Sequence, residues 1–194
     1  MCSTALLETD AKIGHPFGSI VQILALTAQR RDEVGWLTWS QLDLEKAVWV
    51  MPPEHAKNGK PHIVHLNEPV RDLLRSTPRR GELVFSGDGT TLFQGYSKAK
   101  ARLDRLSGVH DWTLHDLRRT VVSGMARLGI APHVADKILN HQGGTISGMA
   151  AVYQRHEVLE ERKMALDTWG EFISSLDTPK KTAKDPNAEE KAAA

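Results

Sequence analysis

The stretch Trp112–Thr120, WTLHDLRRT, places His115, Arg118 and Arg119 in the opening turns of one helix. Thr113 and Asp116 form a T-x-x-D capping box, in which hydroxyl and carboxylate satisfy N–H groups that a helix start leaves without partners. The helix therefore begins at Thr113, and His115 and Arg118, three residues apart, share a face. Groups of like charge so close together repel unless an anion lies among them. A helix start itself favours an anion through its free N–H groups and its dipole. A phosphate oxygen held by guanidinium, imidazole and helix terminus resolves the repulsion. The plain alternative is that His115 caps or packs while Arg118 pairs with a surface acid.

Working outward, Pro16–Ala28, PFGSIVQILALTA, is apolar enough to be a helix buried on most sides, and RRDEVGWLTW follows as a turn and short helix. AVWVM and PHIVHL are rich in β-branched residues and flank PPEHAKNGK, where Asn58-Gly59 is a strong turn signal. This predicts a β-hairpin with Lys57 and Lys60 at its tip. EPVRDLLRS is a short amphipathic helix, and a brief strand is expected at Leu83–Phe85. Helices are expected at about 94–106, 114–128 and 132–140, then a glycine-rich loop, NHQGGTISG, a short helix around Val152 and another near 157–176. The fold class is mainly α with one small antiparallel sheet (α+β). Residues 1–14 read as a leader or linker remnant, 15–176 as one domain, and 177–194 as a polar, disordered tail.

Composition sets bounds. A chain of 194 residues with 40% hydrophobic content can bury one real core. No apolar run is long enough to span a membrane, and the opening MCSTALLETDAK carries no secretory pattern. Cys2 is the single cysteine, so no intrachain disulfide or thiolate zinc cage is expected, which fits a cytoplasmic protein. The net charge of +1 counts mildly against a pure nucleic-acid binder. The basic residues are nevertheless clustered: Lys57 and Lys60, then Arg71, Arg75, Arg79 and Arg80, then Lys98, Lys100, Arg102 and Arg105. Such runs are also what solvated helix faces look like.

Five further positions carry chemistry or its bland counterpart. Arg30 and Arg31 directly follow the buried helix, a costly place for charge without a partner, and Glu33 could be that partner. His141 sits at a helix end beside the glycine-rich loop, where capping is the commoner role. Tyr96 reads as an aromatic packing anchor. Tyr153 follows the QGGTISG tether, which could carry a side chain into and out of a site, although core packing is the usual fate of a tyrosine.

Taken together, LTAQRRDE with Arg30, AKNGKPHIVHL with Lys57, LHDLRRT with His115 and Arg118, LNH with His141 and VYQRH with Tyr153 resemble the catalytic domain of tyrosine recombinases, the phage-type integrases. The resemblance runs from about Gly14 to Trp169. Each motif is weak alone; their order and spacing make the combination specific. The ending YQRHEVLEERKMALDTW looks more like integrases of prophages and genomic islands than like chromosome-dimer resolvases. Ala28 departs from the glycine usual before the first arginine, and Val158 stands where an aromatic is common.

The resemblance implies a DNA breaking-rejoining fold and site-specific recombination through a covalent 3′-phosphotyrosyl intermediate. Tyr153 would be the nucleophile, Arg30 and Arg118 the clamp on the non-bridging phosphate oxygens, and His115 the proton acceptor. Lys57 would protonate the leaving 5′-oxygen, with Lys60 as fallback, and His141 would donate a hydrogen bond to the phosphate. Glu33 and Asp116 would orient the cations, unless the cap occupies Asp116. Arg31, Lys60, Lys98, Lys100 and Arg119 would contact DNA. Neither metal nor other cofactor is implied, since guanidinium groups supply the positive charge. The implied partner is a double-stranded attachment site, bound in a synaptic homo-tetramer with a monomer expected for the isolated fragment, in the bacterial cytoplasm and nucleoid. DNA-bending or excision factors could assist. Because such integrases also carry amino-terminal DNA-gripping domains, the chain reads as a catalytic domain alone. Three rivals remain at this point: a DNA- or partner-binding relic that does not cut, relaxation of supercoiled DNA by the same cleavage, and a metal-dependent phosphohydrolase built on His115-Asp116.

Overall fold

The computed structural model describes Thr9, residues 12–140 and residues 150–177, with the main chain alone for 150–158 and 177. Its organising element is α1, Phe17–Thr27, in which every residue but Gln22 is buried. A helix apolar on all sides belongs inside a core rather than on a surface. Around it pack α2 (Arg31–Gly35), α3 (Glu68–Ser76), α5 (Leu114–Arg127) and α7 (Ala150–Asp177), while α6 (Pro132–Ile138) lies between α5 and α7. The remaining helix, α4 (Tyr96–Ser107), joins the assembly through Leu103 and through Tyr96, which meets Phe93 edge-on at 4.9 Å.

Three antiparallel strands lie in the order β1 (Leu42–Asp43), β2 (Val48–Met51) and β3 (His62–His65). Their register sorts side chains by face: Trp49 opposes Val64 in the core, whereas Val50 opposes Ile63 on the exposed side. That alternation is the period of two that half-buried strands require.

Two close approaches tie the helices together. The Trp169 indole N–H on α7 donates to the Ala25 carbonyl on α1 at 2.8 Å. A Cβ at Gly124 on α5 would stand 2.2 Å from the Trp169 ring, so the α5–α7 crossing depends on a residue without a side chain. At the start of α3, Asn67 accepts from the Val70 N–H and donates to the Leu166 carbonyl, capping one helix while fastening it to another.

Besides β1, which was not expected, the structure differs from expectation in three places. Leu83 forms only an isolated bridge with Thr38, because a bend follows at once and no further ladder forms. The two helices expected around Val152 and at 157–176 are one continuous helix, α7. The β2–β3 connection spans residues 52–61 and is a series of turns in which Gly59 alone adopts a left-handed φ, 66°. The expected glycine-rich loop falls largely, and the expected tail almost wholly, outside the described residues, as does most of the leader. No helix among the described residues is long and apolar enough to cross a membrane.

Candidate active site

Arg30 is the N-cap of α2, in extended conformation, and Glu33 is the third residue of that helix. The Glu33 carboxylate accepts the Arg30 main-chain N–H at 2.9 Å and the Arg30 guanidinium at 2.9 Å. Its Oε1 also accepts the main-chain N–H of Lys57, at 3.3 Å. Glu33 is 2% exposed, so a single buried acid fastens two cation-bearing segments. A desolvated carboxylate of this kind is tolerated because its lone pairs are used.

On α5 the capping box forms: Asp116 Oδ2 accepts from the Thr113 N–H at 2.8 Å and from its hydroxyl at 2.7 Å. The other oxygen of Asp116 holds Arg119 at 2.9 Å. Asp116 therefore orients the helix start and Arg119, and neither His115 nor Arg118 bonds to it. This use also leaves little of the carboxylate for a metal in an HD pair.

Arg118 lies in the second turn of α5 and is 5% exposed. Its guanidinium donates to two main-chain carbonyls, that of Ala28 and that of Leu139. These are the residues ending α1 and α6, where unpaired carbonyls and the negative end of the helix dipole favour a cation. Burial, then repulsion from Arg30, bring its pKa down to about 10, which keeps it charged at neutral pH. Ala28 reaches this position through a left-handed φ of 57°, which a glycine would adopt without strain.

The end of α6 is held from several sides. The Ile138 carbonyl accepts from the Gln29 amide at 3.1 Å and from His62 Nε2 at 3.2 Å. The Leu139 carbonyl takes Arg118, and the Asn140 carbonyl takes the Asn58 amide at 3.2 Å. A carbonyl only accepts, so Nε2 of His62 carries a proton. Burial, with the positive charges of Arg162, Arg118 and Arg30, lowers the His62 pKa to about 3, and the ring is neutral in use.

Arg30, Lys57, His115 and Arg118 line one open cleft of about 890 Å³. Trp36, Tyr96 and Trp112 supply its aromatic walls, and Arg31 and Lys100 complete its basic lining. Arg31 pairs with Asp32 at 2.7 Å beside the Tyr96 ring; Lys100 pairs with Asp104 at 2.7 Å over the Trp112 ring. Lys60 and Lys98 are exposed and do not line the cleft. His141 lies outside the described residues. Tyr153 belongs to α7 by its main chain, and its side chain lies outside the description. Tyr96, the other tyrosine, is half-buried, and desolvation pushes its phenol above the usual value.

Sequence reasoning overlooked Gln29, Asn58, His62 and Asn140. Gln29 directly follows the buried helix, and Asn140 stands at a helix end with φ 52°. For Gln29 and Asn140 the available signal was a polar residue at a helix end; Asn58, in the turns of residues 52–61, and His62, in β3, carried none.

The family model described as Phage integrase family matches residues 4–158. The chain is similar to Putative protein IntB of Escherichia coli (strain K12), 22% identical over 188 residues, covering 87% of this chain and 47% of that protein. It is similar to the Integrase of Salmonella phage P22, 28% identical over 145 residues, covering 67% of this chain and 36% of that protein. The chain thus spans less than half the length of these two relatives. In fold it is similar to the integrase from mycobacterium phage Brujita, at a TM-score of 0.63 and 16% identity, covering 90% of this chain and 60% of that one.

Proposed function

The chain belongs to the phage integrase family, and on that premise we propose that it cuts and rejoins double-stranded DNA in site-specific recombination. The catalytic unit is residues 15–176. The observation carrying this reading is the gathering of Arg30, Lys57, His115 and Arg118 on one cleft, with Arg118 bound to carbonyls rather than to an acid. A guanidinium hydrogen-bonded to carbonyls and to no carboxylate keeps its charge for an incoming anion.

The Tyr153 phenol oxygen attacks the scissile phosphorus; the new P–O bond forms as the bond to the 5′-oxygen breaks, giving a 3′-phosphotyrosyl link. A free phenol has a pKa of about 10, so the proton needs an acceptor, and His115 takes it. Lys57 protonates the departing 5′-oxygen. Arg30 and Arg118 bind the non-bridging oxygens through planar forks suited to phosphate, and His141 donates a further hydrogen bond. Loss of either arginine raises the barrier by roughly 3–4 kcal/mol, as for other preorganised donors. Rejoining reverses the same steps, so the phosphotyrosyl bond stores the energy and no nucleotide is consumed. Arg31, Lys60, Lys98, Lys100 and Arg119 contact the DNA backbone, which positions the protein but carries little sequence information. Synapsis in a homo-tetramer at an attachment site completes the reading.

A nicked duplex carrying the core site tests it. The chain is expected to become trapped on DNA in a detergent-resistant complex, Tyr96→Phe to trap equally, and Tyr153→Phe not at all. Equal trapping by Tyr153→Phe overturns the nucleophile assignment; absence of trapping by the unaltered chain on its own core site overturns the function.

A further inference from the structure

We infer that the side-chain amides of Asn58 and Asn140 form a positioning pair that sets Lys57 in register with the arginine clamp. Lys57 stands in a ten-residue connection, 52–61, whose turns would leave its side chain with a wide choice of positions. Two adjacent residues of that connection are fastened from outside it. The Lys57 N–H donates to Glu33 at 3.3 Å, which ties it to Arg30. Asn58 reaches the other way: its Nδ2 donates to the Asn140 carbonyl at 3.2 Å and to the Asn140 Oδ1 at 2.8 Å, while Asn140 Nδ2 donates back to Asn58 Oδ1 at 3.3 Å. The pair joins residues 82 apart in sequence, and Asn140 follows directly on Leu139, whose carbonyl holds Arg118.

The choice of residue at 140 carries the argument further. Its φ of 52° is a conformation that glycine adopts most freely and that asparagine tolerates better than most other residues. An asparagine there gives up that freedom and gains an amide, and the amide meets the one on Asn58. The pair touches no substrate; it acts through the lysine.

This inference rests on Lys57 as the proton donor, and the test separates the two. A 5′-bridging sulfur leaves as a thiolate, whose conjugate acid has a pKa of about 8.5, and needs no proton donor. Asn140→Gly keeps the backbone path and removes the amide. On the oxygen substrate it is expected to slow cleavage on the order of 10-fold, as misplaced catalytic groups do. Asn58→Ala, which also loses the bond to the residue-140 carbonyl, should slow it at least as much, the double variant should be no slower than Asn58→Ala, and sulfur should restore all three. A structural defect would slow both substrates alike, and that result, or an unslowed Asn140→Gly, overturns the pair's role. Lys57→Ala is the control: if sulfur fails to restore it, the lysine's role falls and this inference with it; if sulfur restores it but not Asn140→Gly, only the pair falls. Amide exchange supplies a readout without DNA. Asn140→Gly is expected to raise exchange at the Lys57 N–H, and unchanged protection there overturns the inference whatever the cleavage rates.

Discussion

Arg118 is held by the main-chain carbonyl of Ala28, 90 residues earlier, and Ala28 presents that carbonyl from a left-handed backbone at φ 57°. A Cβ in this region is strained by roughly 1–2 kcal/mol, and glycine escapes that strain at the loss of one buried methyl, about 0.8 kcal/mol. Ala28→Gly is therefore expected to lie within about 1 kcal/mol of the parent in urea unfolding, whereas the β-branched Ala28→Val should lose more than ~2 kcal/mol. Equal stability of the two variants would contradict the strained path.

His62 predicts how stability follows pH. Its folded pKa is lowered to about 3, against an ordinary 6.5 when unfolded, so the unfolded chain takes up the proton first. Its contribution is whole above pH 6.5 and is lost as pH falls from there toward 3. Between pH 7 and 5 the loss from this group is roughly 2 kcal/mol. His62→Gln keeps an N–H for the Ile138 carbonyl but does not titrate, so the unfolding free energy of the variant should decline less over that range. Parallel curves for parent and variant would rule out a neutral buried ring.

Gly124 sits where α5 meets the Trp169 indole, and an added methyl would come within 2.2 Å of that ring. Because the indole is also anchored to Ala25, it cannot swing aside freely. Gly124→Ala is expected to cost about 1–3 kcal/mol, the usual penalty of overpacking. Trp169→Phe should recover part of that loss when combined with it. Simple additivity of the two substitutions in thermal or urea unfolding would argue against the contact.

Lys100 is occupied by Asp104 at 2.7 Å before any DNA arrives. Asp104→Asn releases it, so binding of an arbitrary duplex should tighten and the slope of log K against log salt should steepen by about one counterion. An unchanged slope would remove Lys100 from the DNA-contacting set.

The capping box at Thr113 and Asp116, the helix at 68–76 and the two long strands were legible because each is dictated by residues within a few positions of one another. The gathering of basic residues on one cleft followed from a family pattern rather than from local rules. What stayed hidden depends on distance: nothing near Asn58 announces Asn140, and nothing near Gln29 or His62 announces the Ile138 carbonyl. β1 was missed because two residues carry no usable periodicity. Leu83–Phe85 looked like a strand from its apolar run, but only Leu83 pairs in a bridge, and with Thr38. The break expected between the last two helices is absent: residues 152–157 contain neither glycine nor proline, and the helix runs on through them.

The backbone grip on Arg118 has an evolutionary corollary. Oxygen atoms at 28 and 139 belong to every amino acid, so replacing either residue cannot delete an acceptor; it can only bend the path that presents it. Lineages of this family can thus vary their lettering at both positions while inheriting the same contour, and the fingerprint to seek among them is a pair of matching torsions.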